Sequence, residues 1–424
     1  MQMTLGRKMA AIRKEKGIRQ VDLAYDMGYS PAAVGNYENE RCPVSADVLL
    51  AFRGATNMED TPMLEHELAD LKKRLCAWYD LIIVGRVKCA KELYDKLAHD
   101  VKWSYDDDLK RLFEIFCVMY YHDLGEKDKF AKMLVTIKEH EHSLTDEHLH
   151  FYWFLLGIFE YYKCQYKSAL KFYLKAEVIG ARMGLSSRPL DYSIGCCLVF
   201  MGYSNLAIEY LEKSQLNELD AHITKYGSIT QKLLAICHSR LGRVNKAHKL
   251  LDAYDGYLIA DDKCSKPELF VLHCVRALVC NEAGDYEKAL ENYEIAIGYY
   301  NEKDELYLSY ICDKATLLRS INKTEEVNIC INEGLSLATK GTIWYEWLNA
   351  VKHSLTLSKK SSEDYLMWTA IPRLTEYGQH YEVMKLYTWL SDHFTTERKH
   401  KPASECTKEA FAIYSRLMKG DLSL

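Results

Sequence analysis

The chain has 424 residues, with 55 Lys/Arg against 60 Asp/Glu and a formal net charge of −5. That length exceeds what one hydrophobic core organises and predicts at least two domains. The acidic balance argues against a general nucleic-acid coat. Fourteen cysteines occur without a CxxC pair, and no run of about 18 apolar residues is present. This composition predicts a reduced, cytoplasmic chain with no membrane span and no disulfide framework. Met1 to Lys8 lack the apolar stretch of a secretion signal.

The first fifty-six residues carry eight basic and six acidic side chains, a net of +2, which leaves −7 for the rest. Leu5, Met9 and Ile12 form one apolar helix stripe, and Gly17 ends that helix. Gln20 to Met27 reads as a second short helix, with Val21, Leu23 and Ala24 available to a core. Gly28 is the turn. Ser30 and Pro31 then supply an N-cap and a first-turn proline for a third helix, Ala32 to about Tyr37. Pro43 and Ser45 precede a fourth helix containing Val48, Leu49 and Phe52. Four short helices with a glycine turn between the second and third make a helix-turn-helix module.

Gly6, Arg13, Gly17, Gln20, Leu23, Ala24, Gly28, Ser30, Glu38 and Pro43 stand at the spacing of the Cro/repressor (xenobiotic-response-element) family, which this segment resembles. The resemblance implies an ion pair between Arg13 and Glu38 and a phosphate contact from Gln20. It also implies base reading from Pro31, Ala32, Ala33 and Asn36. Arg19 stands where the family has a Ser/Thr cap, and adds a phosphate-contact candidate. Ser30, Asn39 and Arg41 complete the expected DNA-binding face. Only Asn36 among the reading positions can pair bidentately with adenine, so shape and phosphate contacts are expected to carry much of the affinity.

Thr56 to Pro62 reads as a linker, giving domains at 1–56 and 65–424 joined by 57–64. Met63 to Ile83 follows as a long helix with Leu64, Leu68, Leu71, Leu75, Trp78 and Leu81 on one side. The rest is organised around a repeat seen most clearly at Asn281–Ala296. Gly284 and Asp285 close one helix there, and Tyr286 starts another whose inner face carries Ala289, Leu290, Tyr293 and Ala296. Aligned on Ala289, the anchors Ala90, Ala131, Ala169, Ala207, Ala247 and Val327 recur every 38–42 residues. That period is the mark of a solenoid. Trp153, Leu156, Gly157, Tyr166, Ala169, Tyr173 and Ala176 match a tetratricopeptide repeat. Weaker copies around Met367 and Ala410 (with Tyr414) bring the array to about nine units. The expected fold is all-α, a repressor-type head followed by a right-handed superhelix.

First helices of stacked pairs line a concave groove. Tyr161, Tyr162, Tyr192, Lys232, Arg240, Asn281, Asp313, Thr316 and Arg319 are the polar groove candidates. Lys232, Arg240 and Arg319 stand out in an acidic array, and suit a peptide carboxylate or an acidic side chain. His140, Glu141, His142, His148 and His150 look like a metal cluster, but no HExxH is present, and surface histidines without a metal are expected. No catalytic constellation and no cofactor motif stands out.

The combined architecture resembles the peptide-pheromone receptors of Gram-positive bacteria, the Rgg, Rap, NprR, PlcR and PrgX group, most closely the NprR/PlcR type. The resemblance implies a cytoplasmic, homodimeric transcription factor that binds a double-stranded DNA operator and is controlled by a short re-imported signalling peptide. Two alternatives stay open. One is a constitutive regulator whose repeats bind a protein partner. The other is a Rap-like phosphatase acting on a response regulator.

Overall fold

The computed structural model describes residues 3–59, 61–83, 85–185, 188–221, 227–260 and 265–422, and these form helices and turns with no strand. No helix among them is long and apolar enough to cross a membrane. The chain divides into two compact units, Met1–Leu155 and Leu156–Leu424.

The first unit opens with α1 (Leu5–Glu15), α2 (Gln20–Met27), α3 (Pro31–Glu38) and α4 (Ala46–Thr56). Met9, Ile12, Leu23, Ala24, Val34 and Phe52 are fully buried between them. Gly28 ends α2 at φ 72°, a left-handed turn that a residue with a Cβ resists. The Ser30 hydroxyl accepts from the Ala33 amide, the cap expected there, and Ser45 does the same for Val48. Gly6 lets α1 cross the end of α3, where a Cβ would meet the Tyr37 carbonyl oxygen.

The stretch read as a linker is packed. Met58 and Met63 join the core of the four-helix head. Glu67 accepts from the amides of Met63 (2.8 Å) and Leu64 (2.9 Å), which is why α5 (Glu65–Ile83) starts two residues later than its apolar pattern suggests. Next come α6 (Val87–Ser104), α7 (Asp107–Asp123), α8 (Lys127–Glu139) and the start of α9 (Asp146–Tyr162). The buried Trp78 indole donates to the Ala90 carbonyl at 2.8 Å, tying α5 to the first repeat anchor.

One expectation is corrected in this unit. His148 and His150 are buried, not on the surface. The His148 ring lies 3.0 Å from the Asp108 carbonyl, so it docks the start of α9 on α7.

The second unit holds α10 (Tyr166–Met183), α11 (Arg188–Met201), α12 (Ser204–Ala221), α13 (Gly227–Arg240), α14 (Val244–Ala260), α15 (Lys266–Glu282), α16 (Tyr286–Ile297), α17 (Glu305–Ser320) and α18 (Thr324–Leu337). Ala169, Ala207, Ala247, Ala289 and Val327 are fully buried on the second helix of each pair, the places the forty-residue period assigns. Close approach of the paired helices depends on small residues opposite. A Cβ on Gly157 would lie 2.3 Å from the Tyr173 ring, and one on Gly195 2.7 Å from Leu211.

The weaker copies are also helical. α19 (Ile343–Ser354) is followed by α20 (Lys360–Tyr365), a π turn at Leu366–Ala370 and α21 (Ile371–Tyr377). Pro372 in the first turn of α21 explains that interruption, since it has no amide to continue the ladder. α22 (His380–Thr396) and α23 (His400–Lys419) close the array.

These last pairs return to the beginning of the unit. Gly202 approaches Tyr381 so closely that a Cβ would lie 2.9 Å from the tyrosine Cβ. The Tyr203 hydroxyl donates to the Asp421 carbonyl, and the Asn205 amide to that of Met418. The second unit is thus a ring of helix pairs closed on itself.

Candidate functional site

On the head, Arg13 and Glu38 form a bidentate pair at 2.6 and 2.8 Å, both largely withdrawn from water. The pair fixes the end of α3 against α1. Gln20 donates to the same carboxylate at 2.9 Å, so its amide braces α3. Arg19 is exposed and engaged with Asp22, while the Asn39 amide donates to the Gly35 carbonyl. Pro31, Ala32 and Arg41 are exposed, with Ala33 and Asn36 half-buried beside them. This leaves a small, weakly charged surface at the start of α3.

Inside the second unit lies a cavity of about 270 Å³. Of the nine predicted groove residues, Lys232, Arg240 and Asp313 line it. Tyr161, Tyr162, Tyr192, Asn281, Thr316 and Arg319 do not. Tyr161 packs on Tyr166 and Phe200, and Tyr162 is 56% exposed. Thr316 donates to the Cys312 carbonyl and accepts from the Trp347 indole. Arg319 is spent on Ser354 (2.6 Å) and on the Trp389 ring (3.7 Å). At Asn281 the neighbouring residue, Glu282, is the one that faces the cavity.

Three cations line it: Lys385 lies 4.5 Å over the Tyr381 ring, and Lys232 and Arg240 have hydrogen-bond partners. Lys232 donates to the Tyr254 hydroxyl at 3.2 Å, and burial pushes its pKa down to about 8. Arg240 donates to the Val199 carbonyl at 2.6 Å and lies 4.4 Å over the Tyr381 ring. Tyr381 in turn donates to Glu282 at 2.9 Å.

The carboxylates are less satisfied. Glu382 Oε2 is buried with no hydrogen-bond partner. Burial pushes the Asp313 carboxyl up to about 7, Glu382 and Glu282 push the same way, and Lys385 and Arg240 oppose them. Phe270, Val275, Leu278, Trp344 and Trp347 make the rest of the wall largely apolar. The cavity therefore pairs an aromatic-lined floor with a group of acceptors short of donors.

Sequence reasoning missed Glu282, Gln379, Glu382 and Lys385. Glu282 was one position away in register. The other three lie on or beside α22, which reaches the cavity only because the ring closes.

A four-helix head with a left-handed glycine turn, ahead of stacked tetratricopeptide-type pairs, defines the class of this protein. No protein-family model matches the chain. Over 417 residues it is 21% identical to the transcriptional activator NprA of Geobacillus stearothermophilus, covering 92% of this chain and 98% of that one. NprR in complex with its cognate peptide NprX superposes with a TM-score of 0.70 at 17% identity, over 81% of this chain and 99% of that structure. A Rap protein complexed with competence and sporulation factor gives 0.68 at 14%, over 82% and 99%. The apo form of the quorum sensor NprR from B. thuringiensis gives 0.59 at 18%, over 82% and 99%. The chain is thus similar in fold to the NprR and Rap structures, and similar in sequence, nearly end to end, to a transcriptional activator.

Proposed function

We propose that this chain is a cytoplasmic transcriptional regulator that binds a short signalling peptide in the cavity of its second unit and binds operator DNA through its head. In this reading residues 1–56 are the DNA-binding domain, 57–64 the connection and 65–424 the peptide-binding repeats. The protein works as a homodimer, because one weakly charged head offers few contacts to DNA. It is a receptor, not an enzyme.

The observation that carries the reading is the cavity, with its aromatic wall and under-satisfied carboxylates. Its volume lies just under the roughly 300–1,000 Å³ of pockets for drug-sized ligands, so in the closed ring it takes an anchor, not a whole peptide. The arrangement favours an anchor that donates. A basic side chain or a free amino terminus would satisfy Glu382 and Asp313, whereas for a carboxylate Lys232 and Arg240 are already engaged and Lys385 lies over the Tyr381 ring. This reverses the charge preference that Lys232, Arg240 and Arg319 suggest from sequence.

The test is calorimetry of the full-length protein against synthetic peptides encoded by short secreted reading frames beside its gene. A binding peptide should lose affinity when its basic residue is replaced by Glu, and when Asp313 is replaced by Asn. Binding unaffected by either change moves the site elsewhere. Binding by none of the peptides sinks the signalling reading.

A further inference from the structure

The head is attached to the first repeats at three places, and we infer that it is clamped there, so that the head and α5–α7 move as one body with no hinge at Met58 or at 61–64. The inference goes beyond the proposed function, and only its DNA arm depends on that function.

The first attachment is the connection itself. Thr61, Pro62 and Met63 are buried, and Met58 and Met63 fill the head's core. The second is Glu67 at the start of α5. Besides capping Met63 and Leu64, it accepts from Arg53 of α4 at 2.6 Å, and Arg53 also donates to the Thr61 carbonyl at 2.9 Å.

The third attachment is the corner between α6 and α7. Trp103 and Tyr105 pack against the head's core. Tyr105 donates to Glu15 of α1 at 2.7 Å, and Lys102 pairs with the same carboxylate at 2.8 Å. The ammonium groups of Lys102 and Lys16 both lie over the Trp103 ring, at 4.5 and 5.6 Å. Lys16 also donates to the Thr56 carbonyl at the end of α4.

Tyr105 makes these contacts from φ 49°, left-handed backbone that a bulky residue resists. The matching C-cap of α10 is Gly184, at φ 67°. A tyrosine in place of glycine at this corner is accounted for by what its hydroxyl and ring do for the head. Glu15, Lys16 and Thr56 lie at the ends of α1 and α4, and none of these contacts uses Ser30 to Asn36 of the predicted reading surface.

Limited proteolysis of the full-length chain with thermolysin, which cuts ahead of apolar residues, tests this at Met58, Met63 and Leu64. The native chain should resist there. Trp103→Ala, and separately the surface pair Glu15→Ala with Lys16→Ala, should raise cleavage at those bonds about tenfold or more, the factor that 1.4 kcal/mol of lost contact gives. The α1 variant keeps the test valid if Trp103→Ala fails to fold. Rapid cleavage of the native chain at 57–64, or variants as resistant as the native chain, would overturn the clamp.

The second arm uses duplexes whose two half-sites are moved apart by half a turn, about five base pairs. The native chain should lose binding, and the clamp variants should keep it. Equal tolerance in native chain and variants also overturns the inference. Absence of DNA binding in every protein, with the protease result intact, would instead remove the DNA reading and leave the clamp standing.

Discussion

Replacing Asp313 with Asn should stabilise the unliganded protein, and the gain should depend on pH. The Asp313 carboxyl titrates near 7 instead of at 3.8, chiefly because it is buried, with Glu282 and Glu382 beside it and only Lys385 and Arg240 to compensate. Cys274 of α15, Tyr293 of α16 and Cys312 of α17 also feel its charge, and burial holds all three in their neutral forms at physiological pH. Between pH 4 and 7 the unfolded chain has released this proton while the folded chain keeps it. Stability from this group therefore falls as pH rises through that window, and the loss is complete above 7. Holding the carboxylate ionised costs at most about 4 kcal/mol there, less where the cavity admits water to this half-buried group. Asn has nearly the same shape and no charge to hold. Urea unfolding of the full-length native and variant chains, followed by circular dichroism, should show little difference near pH 4 and a variant more stable by up to about 4 kcal/mol at pH 8. A variant equally or less stable at pH 8 would mean that Asp313 is satisfied in the folded chain, and the argument for a donating ligand would fail with it.

The other predictions concern the head and the ring closure. Glu38→Gln leaves the buried Arg13 guanidinium without its charged partner and should destabilise the head by about 3–5 kcal/mol, read as an earlier loss of amide-exchange protection in α1–α3. Asn36→Ala should relax base preference at one position of the operator at a cost of about 1–3 kcal/mol; a binding-site selection identical to that of the native protein would remove Asn36 as a reader. Gly202→Ala puts a Cβ 2.9 Å from that of Tyr381 at φ 90° and should cost about 1–3 kcal/mol. Hydrogen exchange would report it as faster opening of α22 and α23, with α13–α16 unchanged.

Local pattern determined most of the architecture. Four caps and turns in the first fifty residues (Gly17, Gly28, Ser30, Ser45) set the head's helices, because each acts on backbone groups within a few positions of itself. The alanine anchors at forty-residue spacing set the helix pairs, because each second helix packs mainly on its own partner and the next. The pairing of Arg13 with Glu38, twenty-five positions apart, was legible only through the family resemblance that implies it. What sequence could not supply is where the array ends up after one turn. Small rotations between successive pairs add up, so Tyr381, Glu382 and Lys385 reach Arg240, Glu282 and Asp313 across more than sixty residues, and no periodicity records that meeting. Packing within and between neighbouring pairs decides which charges are free. Lys232, Arg240 and Arg319 look available in a list of residues, but tertiary packing gives them Tyr254, Val199 and Ser354 as partners and leaves the unmet demand on carboxylates. The packing of Met58 and Met63 is likewise tertiary, since both are held by a core that α1–α4 and Trp103 assemble together.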